Sequence, residues 1–374
     1  MYVTRLATRN YRNLAEGELF PCQGVNVIYG GNAQGKTNLL ESIWLFTGGH
    51  SFRGAKDAEL PRLDPATGKN SKGTVLDLDF FSQGREQSAR LQIENGRRAS
   101  IINGVKKKTG AALIGKVRAV IFSPEHLLLV KEGPSRRRGF IDGAMCQLRP
   151  GYAALLSDYK RTLMQRNALL KEMQKPSQGI ADTLEIWDLR LASLGAQVMA
   201  ERRAYTEKIA PIIEEIYDGI ARGKEKIQVL FSPSIQEGET VKEMEESFLA
   251  QLTRFRPQDA RTGHTSCGPH RDDLEIMIDS ISAKAFGSQG QQRSAVLAMK
   301  LAEAQALCDH SGETPVILLD DVMSELDRQR QDYLLNHLQG RQVFITCCSP
   351  ETVNLMETGM QFQVEAGQVA VEKL

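Results

Sequence analysis

A short run near the start of the chain sets its architecture: Val25-Asn26-Val27-Ile28-Tyr29-Gly30-Gly31-Asn32-Ala33-Gln34-Gly35-Lys36-Thr37. The run begins as an apolar strand, and residues 37–46 then carry apolar side chains at helical spacing. Between strand and helix, residues 30–37 fit GxxxxGK[ST], the P-loop pattern, in the strand–loop–helix context that the pattern requires. A chance glycine-rich turn would lack that context. The run therefore predicts a nucleotide-binding α/β domain.

The residue types of this loop have chemical reasons. Glycines allow the backbone N–H groups to wrap phosphate groups, and the N-terminus of the following helix adds its dipole. Lys36 would place a positive charge at the β- and γ-phosphates of ATP, and the Thr37 hydroxyl would be a ligand for Mg²⁺. All residues from Gly30 to Thr37 are therefore candidate ATP-binding residues, with Lys36 in a catalytic role and Thr37 as a metal ligand.

A second constellation lies far along the chain, where the apolar run Val316–Leu319 ends in Asp320 and Asp321. Two acids after a strand more often cap a helix. Together with a P-loop, however, they predict a Walker-B strand. Asp320 would then hold the Mg²⁺ shell, and Asp321 would polarise the attacking water.

A second glycine-containing loop, residues 287–293, precedes a helix and is predicted to bind anions at the helix N-terminus. The P-loop already occupies one side of the triphosphate, so this loop can approach only from the open side. The arrangement predicts two molecules packed head to tail, in which the loop 288–293 of each copy contacts the nucleotide of the other. The alternative is a plain helix cap at Ser288. Residues 324–327 would lie near the same interface, or else start an ordinary helix.

The order of elements predicts one ATPase domain with a helical insertion. Residues 74–104 alternate and contain two Asn-Gly turns, which indicates an antiparallel meander. Residues 150–222 have helical spacing interrupted by Lys175–Gly179, which predicts a hairpin of two arms of ~20 residues, each spanning ~30 Å. We expect an N-terminal ATPase lobe at 1–148, a helical lid domain at 149–262 and a C-terminal ATPase lobe at 263–374.

The amino-acid composition excludes a disordered, a collagen-like or a disulfide-scaffold protein. The 374 residues include 47 Lys and Arg against 46 Asp and Glu, and 41% are hydrophobic, which is ordinary for a globular chain. No apolar stretch approaches the ~18 residues of a membrane helix, and the polar start carries no secretory signal. The six cysteines form no CxxC pair. We expect reduced thiols, a cytoplasmic location and no membrane partner.

Positive charge is concentrated in one region of this neutral chain. Residues 97–138 hold 11 Lys and Arg but 2 acids. Such clusters bind nucleic-acid phosphates by counterion release, and the lack of interleaved aromatics favours duplex over single strands. A solvated basic face is the alternative. The first two clusters flank hairpin turns and are expected to be exposed, and Arg161 and Arg166 are second-rank candidates. The weak DNA-binding candidates are Arg97, Arg98, Lys106, Lys107, Lys108, Arg136, Arg137 and Arg138.

Five blocks of sequence carry a family resemblance. GGNAQGKTNLLESI (30–43), FSPEHLLLVKEGPSRRRGFID (122–142), GPHRDDL (268–274), GSQGQQR (287–293) and LLDDVMSELD (318–327) resemble the RecF family of recombination and repair ATPases, within the ABC-type ATPases of the Rad50 and SMC kind. The resemblance implies a Rad50-like P-loop ATPase head with an inserted helical lid and an ATP-dependent homodimer. It also implies binding of double-stranded and gapped DNA, and slow, weak, DNA-stimulated ATP hydrolysis used as a switch. RecO and RecR would be partners in loading RecA during DNA repair, replication-fork maintenance and the SOS response.

The family pattern assigns roles to individual residues. By resemblance, residues 288–293 are the signature loop, in which Ser288, Gly290 and Gln291 would contact the nucleotide. Residues 324–327 are the D-loop, and Asp321 stands where most ABC ATPases have a catalytic Glu. Residues 346–348, Thr-Cys-Cys, occupy the place of the switch histidine of many ABC ATPases, which favours a slow timer over a fast motor. The glutamine of the Q-loop is placed only near Ser123–Glu125, or more weakly at Gln147.

Some assignments remain open between function and structure. Arg12 and Asn13 would approach ribose or phosphate, or form a solvated turn. His270, beside Arg271, is expected to be a structural hydrogen-bonding corner rather than a catalyst. The alternative functions are an ABC-type ATPase subunit of another DNA complex or of a transporter, and a P-loop kinase acting on a small molecule.

Overall fold

The computed structural model describes residues 1–64, 69–174, 180–236, 238–349 and 359–372. The helices are α1 (Lys36–Trp44), α2 (Pro134–Leu148), α3 (Pro150–Glu172), α4 (Ile180–Ala221), α5 (Val241–Thr262), α6 (Ala283–Phe286), α7 (Gln289–Ser311) and α8 (Arg328–His337). The strands are β1 (Tyr2–Arg9), β2 (Gly17–Leu19), β3 (Val25–Tyr29), β4 (Leu63–Asp64), β5 (Lys69–Asn70), β6 (Thr74–Ser82), β7 (Arg85–Glu94), β8 (Arg97–Ile102), β9 (Val105–Lys107), β10 (Ala119–Phe122), β11 (Ile227–Ser232), β12 (Asp273–Ile278), β13 (Ile281–Ser282), β14 (Val316–Asp320), β15 (Val343–Cys347), β16 (Gly359–Glu365) and β17 (Gln368–Glu372).

The chain forms two compact units. The first comprises residues 1–128, 219–222 and 292–374, and the second comprises residues 129–218 and 223–291. The predicted boundaries after 148 and after 262 both fall inside the second unit. Among the described residues, no helix is both long enough and apolar enough to cross a membrane.

A mostly parallel sheet organises the first unit. Its order is β10-β14-β15-β3-β16-β17, and only β17 runs antiparallel to its neighbour. Strands β10, β14 and β15 are buried along their whole length, as expected for a sheet covered on both faces. The carboxyl ends of β3, β14 and β15 therefore meet at one edge, where open α/β sheets bind ligands.

The second sheet of this unit is antiparallel, in the order β2-β1-β6-β7-β8-β9. The predicted meander is thereby confirmed, because β6 to β9 follow one another in space as in sequence. Strand β6 alternates strictly between buried and half-buried residues, and its inward side chains join one core with helix α1 and strand β14. The predicted strand near residues 117–122 is confirmed as β10, which lies in the parallel sheet.

The second unit contains α3 and all but the last turn of α4, which form the helical hairpin, together with α2, α5 and the three-stranded sheet β11-β12-β13. The expectation of two arms of similar length is wrong, since α3 has 23 residues and α4 has 42. The helical periodicity of α4 continues through Pro211, which lies inside the helix. The predicted turn at Lys175–Gly179 lies outside the described residues.

A fully buried ion cluster lies in this helical unit. Arg166 of α3 donates to Asp188 Oδ1 at 2.6 Å and to Asp259 Oδ2 at 2.8 Å, and all three side chains are inaccessible to solvent. Arg256 adds a second positive charge by donating to Asp188. Arg166 is therefore structural, and its candidacy as a second-rank DNA contact is wrong because its guanidinium faces only protein.

Candidate functional site

The P-loop joins β3 to α1 as the sequence predicts. Gly30 has φ of 149°, and a Cβ there would collide with the carbonyl oxygen of Val364 on β16. Gly35 caps α1 at φ of 118°, also in the region that favours glycine. The Lys36 ammonium donates to the carbonyl oxygens of Gly30 and Gly31 at 2.7 and 2.8 Å, so the positive charge lies inside the loop.

The turn between β16 and β17 holds the outer side of the P-loop. The N–H of Ala366 donates to Gln34 Oε1 at 2.6 Å, and the N–H of Gly367 donates to the Gln34 carbonyl at 3.1 Å. From the other side, Asn13 Nδ2 donates to the Ala33 carbonyl at 3.0 Å. Sequence reasoning missed the role of the β16–β17 turn, because no local pattern links residues more than three hundred positions apart.

A residue in the first turn of α1 meets residues of β14 and β15 beside the P-loop. Thr37 Oγ1 donates to Asp320 Oδ1 at 2.8 Å, which brings the two predicted metal ligands together. Thr346 Oγ1 donates to the same oxygen at 2.9 Å. Burial raises the pKa of Asp320, and the nearby Asp321 also raises it, against the opposing effect of the two hydroxyl donors. A carboxylate destabilised in this way is one that a cation would stabilise.

Asp321 follows directly in an unusual backbone conformation. Its φ is 54°, in the left-handed region, and its N–H donates to Thr346 Oγ1 at 2.9 Å. The next residues beyond β15 also border the P-loop, since Cys348 Sγ lies 3.3 Å from Asn32 Oδ1. The residues at the expected place of a switch histidine are thus near the loop, although they present a hydroxyl and thiols.

Arg12 forms an ion pair with a buried carboxylate. Its guanidinium donates to both oxygens of Glu41 on α1, at 3.0 and 3.1 Å, and Tyr11 and Ser51 donate to the same carboxylate. Burial opposes ionisation of Glu41, but its hydrogen-bond donors outweigh burial and lower its pKa. The interpretation of Arg12 as a solvated turn residue is wrong, and this ion pair braces the helix behind the P-loop. Sequence reasoning missed Glu41.

Arg53 is a further residue that the sequence patterns did not single out. Its guanidinium donates to Asn38 Oδ1 at 2.9 Å, one residue after Thr37. The charge of Arg53 also lowers the pKa of Asp320, which places the side chain within electrostatic reach of the acid. No spacing rule marks a lone arginine in a loop, so only the three-dimensional placement identifies it.

The predicted signature loop caps α7. The Ser288 hydroxyl accepts from the Gln291 N–H at 3.2 Å, and Gln291 Oε1 accepts from the Ser288 N–H at 2.8 Å, which forms a capping box. Ser288 is exposed, and Gln291 also donates to Glu225 Oε1 at 2.9 Å. The cap that the sequence offered as an alternative is therefore present, and it leaves the helix tip at the surface.

The D-loop candidate, residues 324–327, lies between β14 and α8 in the first unit. Ser324 Oγ donates to the Asp321 carbonyl at 2.8 Å, and Asp327 caps α8 by accepting from the Arg330 N–H. Glu325 forms an ion pair with Arg293 at 2.7 Å. These contacts tie the D-loop to the strand end that carries the two acids.

The eight candidate DNA-binding residues differ in how exposed their side chains are. The expectation that Arg98 is exposed is wrong, because its guanidinium donates to both oxygens of Asp57 and its side chain is only 8% exposed. Arg137 is buried and binds Asp273, and Arg138 donates to the Asp272 carbonyl. Arg136 is exposed and pairs with Glu132. Of the eight candidates, those that are exposed on the meander are Arg97, Lys106, Lys107 and Lys108.

His270 forms the structural corner that the sequence predicted. Its Nδ1 lies 2.8 Å from the Tyr159 hydroxyl, and its Nε2 lies 3.0 Å from the Thr265 carbonyl. Burial lowers the pKa of His270 to about 4, so the ring is neutral near pH 7. Of the two Q-loop neighbourhoods, Ser123 Oγ lies 2.8 Å from His126 Nδ1, and Gln147 is buried in the second unit.

Comparison with known proteins places this architecture. A family model described as the RecF/RecN/SMC N-terminal domain matches residues 2–370. A DNA replication and repair protein RecF of Acetivibrio thermocellus is 39% identical over 373 residues, which cover 98% of this chain and 99% of that protein. A protein of the same name from Bacillus mycoides is 37% identical over 359 residues, covering 94% and 93%.

Solved structures also resemble this chain over its whole length. A structure described as the recombination mediator protein RecF with ATPrS, in the RecFOR pathway, superposes with a TM-score of 0.91 at 36% identity, covering 100% of this chain and 98% of that one. An Smc head bound to the C-terminal winged-helix domain of ScpA has a TM-score of 0.57 at 16% identity, covering 100% and 98%, and shares the fold.

Proposed function

Because the chain belongs to the RecF family, we propose that it is an ATP-dependent DNA-binding protein of recombinational repair and replication-fork maintenance. ATP joins two copies head to tail, the joined heads hold duplex DNA near gaps, and slow hydrolysis releases it. With RecO and RecR as partners, the bound dimer helps to load RecA. The observation that carries this proposal is the 2.8 Å contact between Thr37 and Asp320, which unites the P-loop and the acidic strand in one site.

The residues of the site fit ATP and Mg²⁺. Thr37 Oγ1 and Asp320 supply the hard oxygen donors that Mg²⁺ prefers, and burial of Asp320 leaves its charge in need of a cation. When bound, Mg²⁺ neutralises charge on the β- and γ-phosphates. Lys36 binds the phosphate oxygens, the loop N–H groups orient them, and Asp321 orients the attacking water.

The homodimer proposal rests on the exposed tip of α7. The capping box fixes Ser288 and Gln291 in place before any partner arrives, so little side-chain entropy is lost on docking. Ser288, Gly290 and Gln291 of one copy then contact the nucleotide of the other. The helix N-terminus favours the negative charge of the γ-phosphate.

The DNA surface in this proposal is smaller than the basic region of the sequence. It consists of Arg97 on β8, Lys106 and Lys107 on the neighbouring strand β9, and Lys108 directly after β9, all of which are exposed. Arg136 is an exposed residue of the second unit. Exposed ammonium groups neutralise DNA phosphates without reading bases, so binding is salt-sensitive and independent of sequence.

Sedimentation tests the proposal, with and without Mg·ATP and a gapped duplex. We expect wild type to become a dimer with ATP. Lys36→Met stays monomeric because it loses the phosphate contact, whereas Ser288→Arg stays monomeric with its nucleotide affinity unchanged. Ser157→Arg, an exposed serine on α3, is the matched control and dimerises as wild type does. Monomeric wild type at saturating Mg·ATP would refute the proposal, and turnover that requires a small acceptor instead of DNA would favour the kinase alternative.

A further inference from the structure

We propose that Thr346 is a positioning residue of the nucleotide site, whose single hydroxyl sets both acids at the end of β14. This inference rests on the proposed function and adds a residue that the P-loop, Walker-B and signature patterns do not contain.

The strand register brings Thr346 to this place. Strand β15 lies between β14 and β3, and Thr346 is aligned with Asp320 on one side and with Ile28 on the other. Its side chain is 1% exposed. A polar side chain this deeply buried is stable only when its hydrogen bonds are satisfied, so the position selects for a hydroxyl that has partners here.

The Thr346 hydroxyl both donates and accepts a hydrogen bond. Its one proton is directed at Asp320 Oδ1 at 2.9 Å, which is closer than the Leu319 carbonyl at 3.4 Å. Its lone pair accepts the Asp321 N–H at 2.9 Å. Both acids are therefore fixed through one oxygen atom, and the displacement of that atom would move them together.

The contact with Asp320 acts on the metal side of the site. Thr37 and Thr346 both donate to Oδ1, so two hydroxyls, one from the first turn of α1 and one from β15, fix the rotation of the carboxylate. Without Thr346, the carboxylate would be held by Thr37 alone, which is itself a proposed Mg²⁺ ligand. We therefore expect the loss of the Thr346 hydroxyl to weaken the response to Mg²⁺ more than the binding of the nucleotide itself.

The contact with Asp321 acts on the hydrolytic side. A residue with a Cβ rarely adopts a φ of 54°, and the N–H···Oγ1 bond to Thr346 holds Asp321 in that conformation. The backbone conformation decides where the Asp321 side chain can point. A relaxed backbone would take the carboxylate away from the water that it orients, which lowers kcat without changing KM in proportion.

The test compares Thr346→Val, which removes the hydroxyl and keeps the branched shape, with Thr346→Ser, which keeps the hydroxyl. Thr206→Val is the matched control, because Thr206 is also buried and, within the part of the chain that the structure describes, its hydroxyl donates only to the Arg202 carbonyl of its own helix. Four quantities are measured on the full chain: the affinity for a fluorescent ATP analogue without Mg²⁺, the Mg²⁺ concentration for half-maximal effect on that affinity, kcat for ATP and KM for ATP.

For Thr346→Val we expect a kcat about tenfold lower and a Mg²⁺ requirement several-fold higher, with metal-free affinity within about twofold of wild type. Thr346→Ser recovers most of both quantities, and Thr206→Val changes neither. An unchanged Mg²⁺ requirement in Thr346→Val, or an equal loss in the Ser variant, would overturn the inference. Failure of wild type to dimerise would refute the proposed function alone, since the Mg²⁺ response is measured on the nucleotide affinity of each protomer.

Discussion

Replacing Arg137 by alanine tests whether this arginine of the run 136–138 stabilises the fold or binds DNA. Its Nε and Nη2 donate to Asp273 at 2.6 and 2.9 Å, and its Nη1 donates to three backbone carbonyls at 3.1, 3.1 and 2.8 Å. The side chain is 3% exposed, whereas that of Asp273 is 29% exposed. Arg137→Ala would leave the carbonyls and the carboxylate without this donor.

The expected cost follows from these partners. Breaking a buried ion pair by removing one member costs about 3–5 kcal/mol, and the partial exposure of Asp273 puts Arg137→Ala near the lower end, at about 3 kcal/mol. Arg136→Ala is the matched control. Its pair with Glu132 is exposed on both sides and contributes about 0.5 kcal/mol or less.

The assay is urea unfolding followed by circular dichroism, together with DNA binding over a range of salt concentrations. The triple change of Lys106, Lys107 and Lys108 to Ala should leave the free energy of unfolding within about 0.5 kcal/mol and reduce the salt slope for duplex binding by about 2.7. An Arg137→Ala protein that is as stable as wild type but binds DNA weakly would refute the structural assignment.

Two further predictions concern the backbone of the P-loop and the titration of a buried ring. Gly30→Ala should lower the unfolding midpoint, because its Cβ meets the Val364 carbonyl, whereas Gly31→Ala should not, since its nearest neighbour is the Gln34 side chain at 3.6 Å; thermal melts compare the two. His270 has a pKa of about 4 when folded and of about 6.5 when unfolded, so the unfolded chain binds more protons between these values. Stability should therefore fall by about 3 kcal/mol from this group as pH drops from 6.5 to 4. His270→Gln should lose this part of the dependence in urea titrations at pH 7, 6 and 5, and an unchanged slope would contradict the assignment.

The sequence predicts the parts of the site that depend on neighbouring residues. The P-loop and the acidic strand end are local patterns, because a tight turn, a helix start and a buried strand each leave a signature within ten residues or so. Their union in one site follows from the parallel sheet. The β16–β17 turn against Gln34 could not be predicted, because the turn carries no chemical motif and its partner is remote in sequence.

The basic region shows that counting charges along the sequence does not predict which arginines are exposed to solvent. Arg137 shares a helical face with the buried Phe140, Ile141 and Ala144, at steps of three, four and seven, so the periodicity of α2 carried a signal of its burial. Arg98 similarly lies on the same strand face as the buried Ser100. The acids that bind these arginines are distant in sequence, which is why counting charges along the chain did not reveal them.

The strand order also bears on how the protein is made. Strand β3 is synthesised early, yet both of its neighbours in the sheet, β15 and β16, come from the last part of the chain. While the ribosome is still translating the middle of the message, the P-loop has neither its sheet neighbours nor the turn that grips Gln34. Pairings of such long sequence separation form slowly. A nascent or prematurely terminated chain therefore carries the nucleotide motif without the strands and the turn that pack against it, and we expect such a chain to lack a competent ATP pocket.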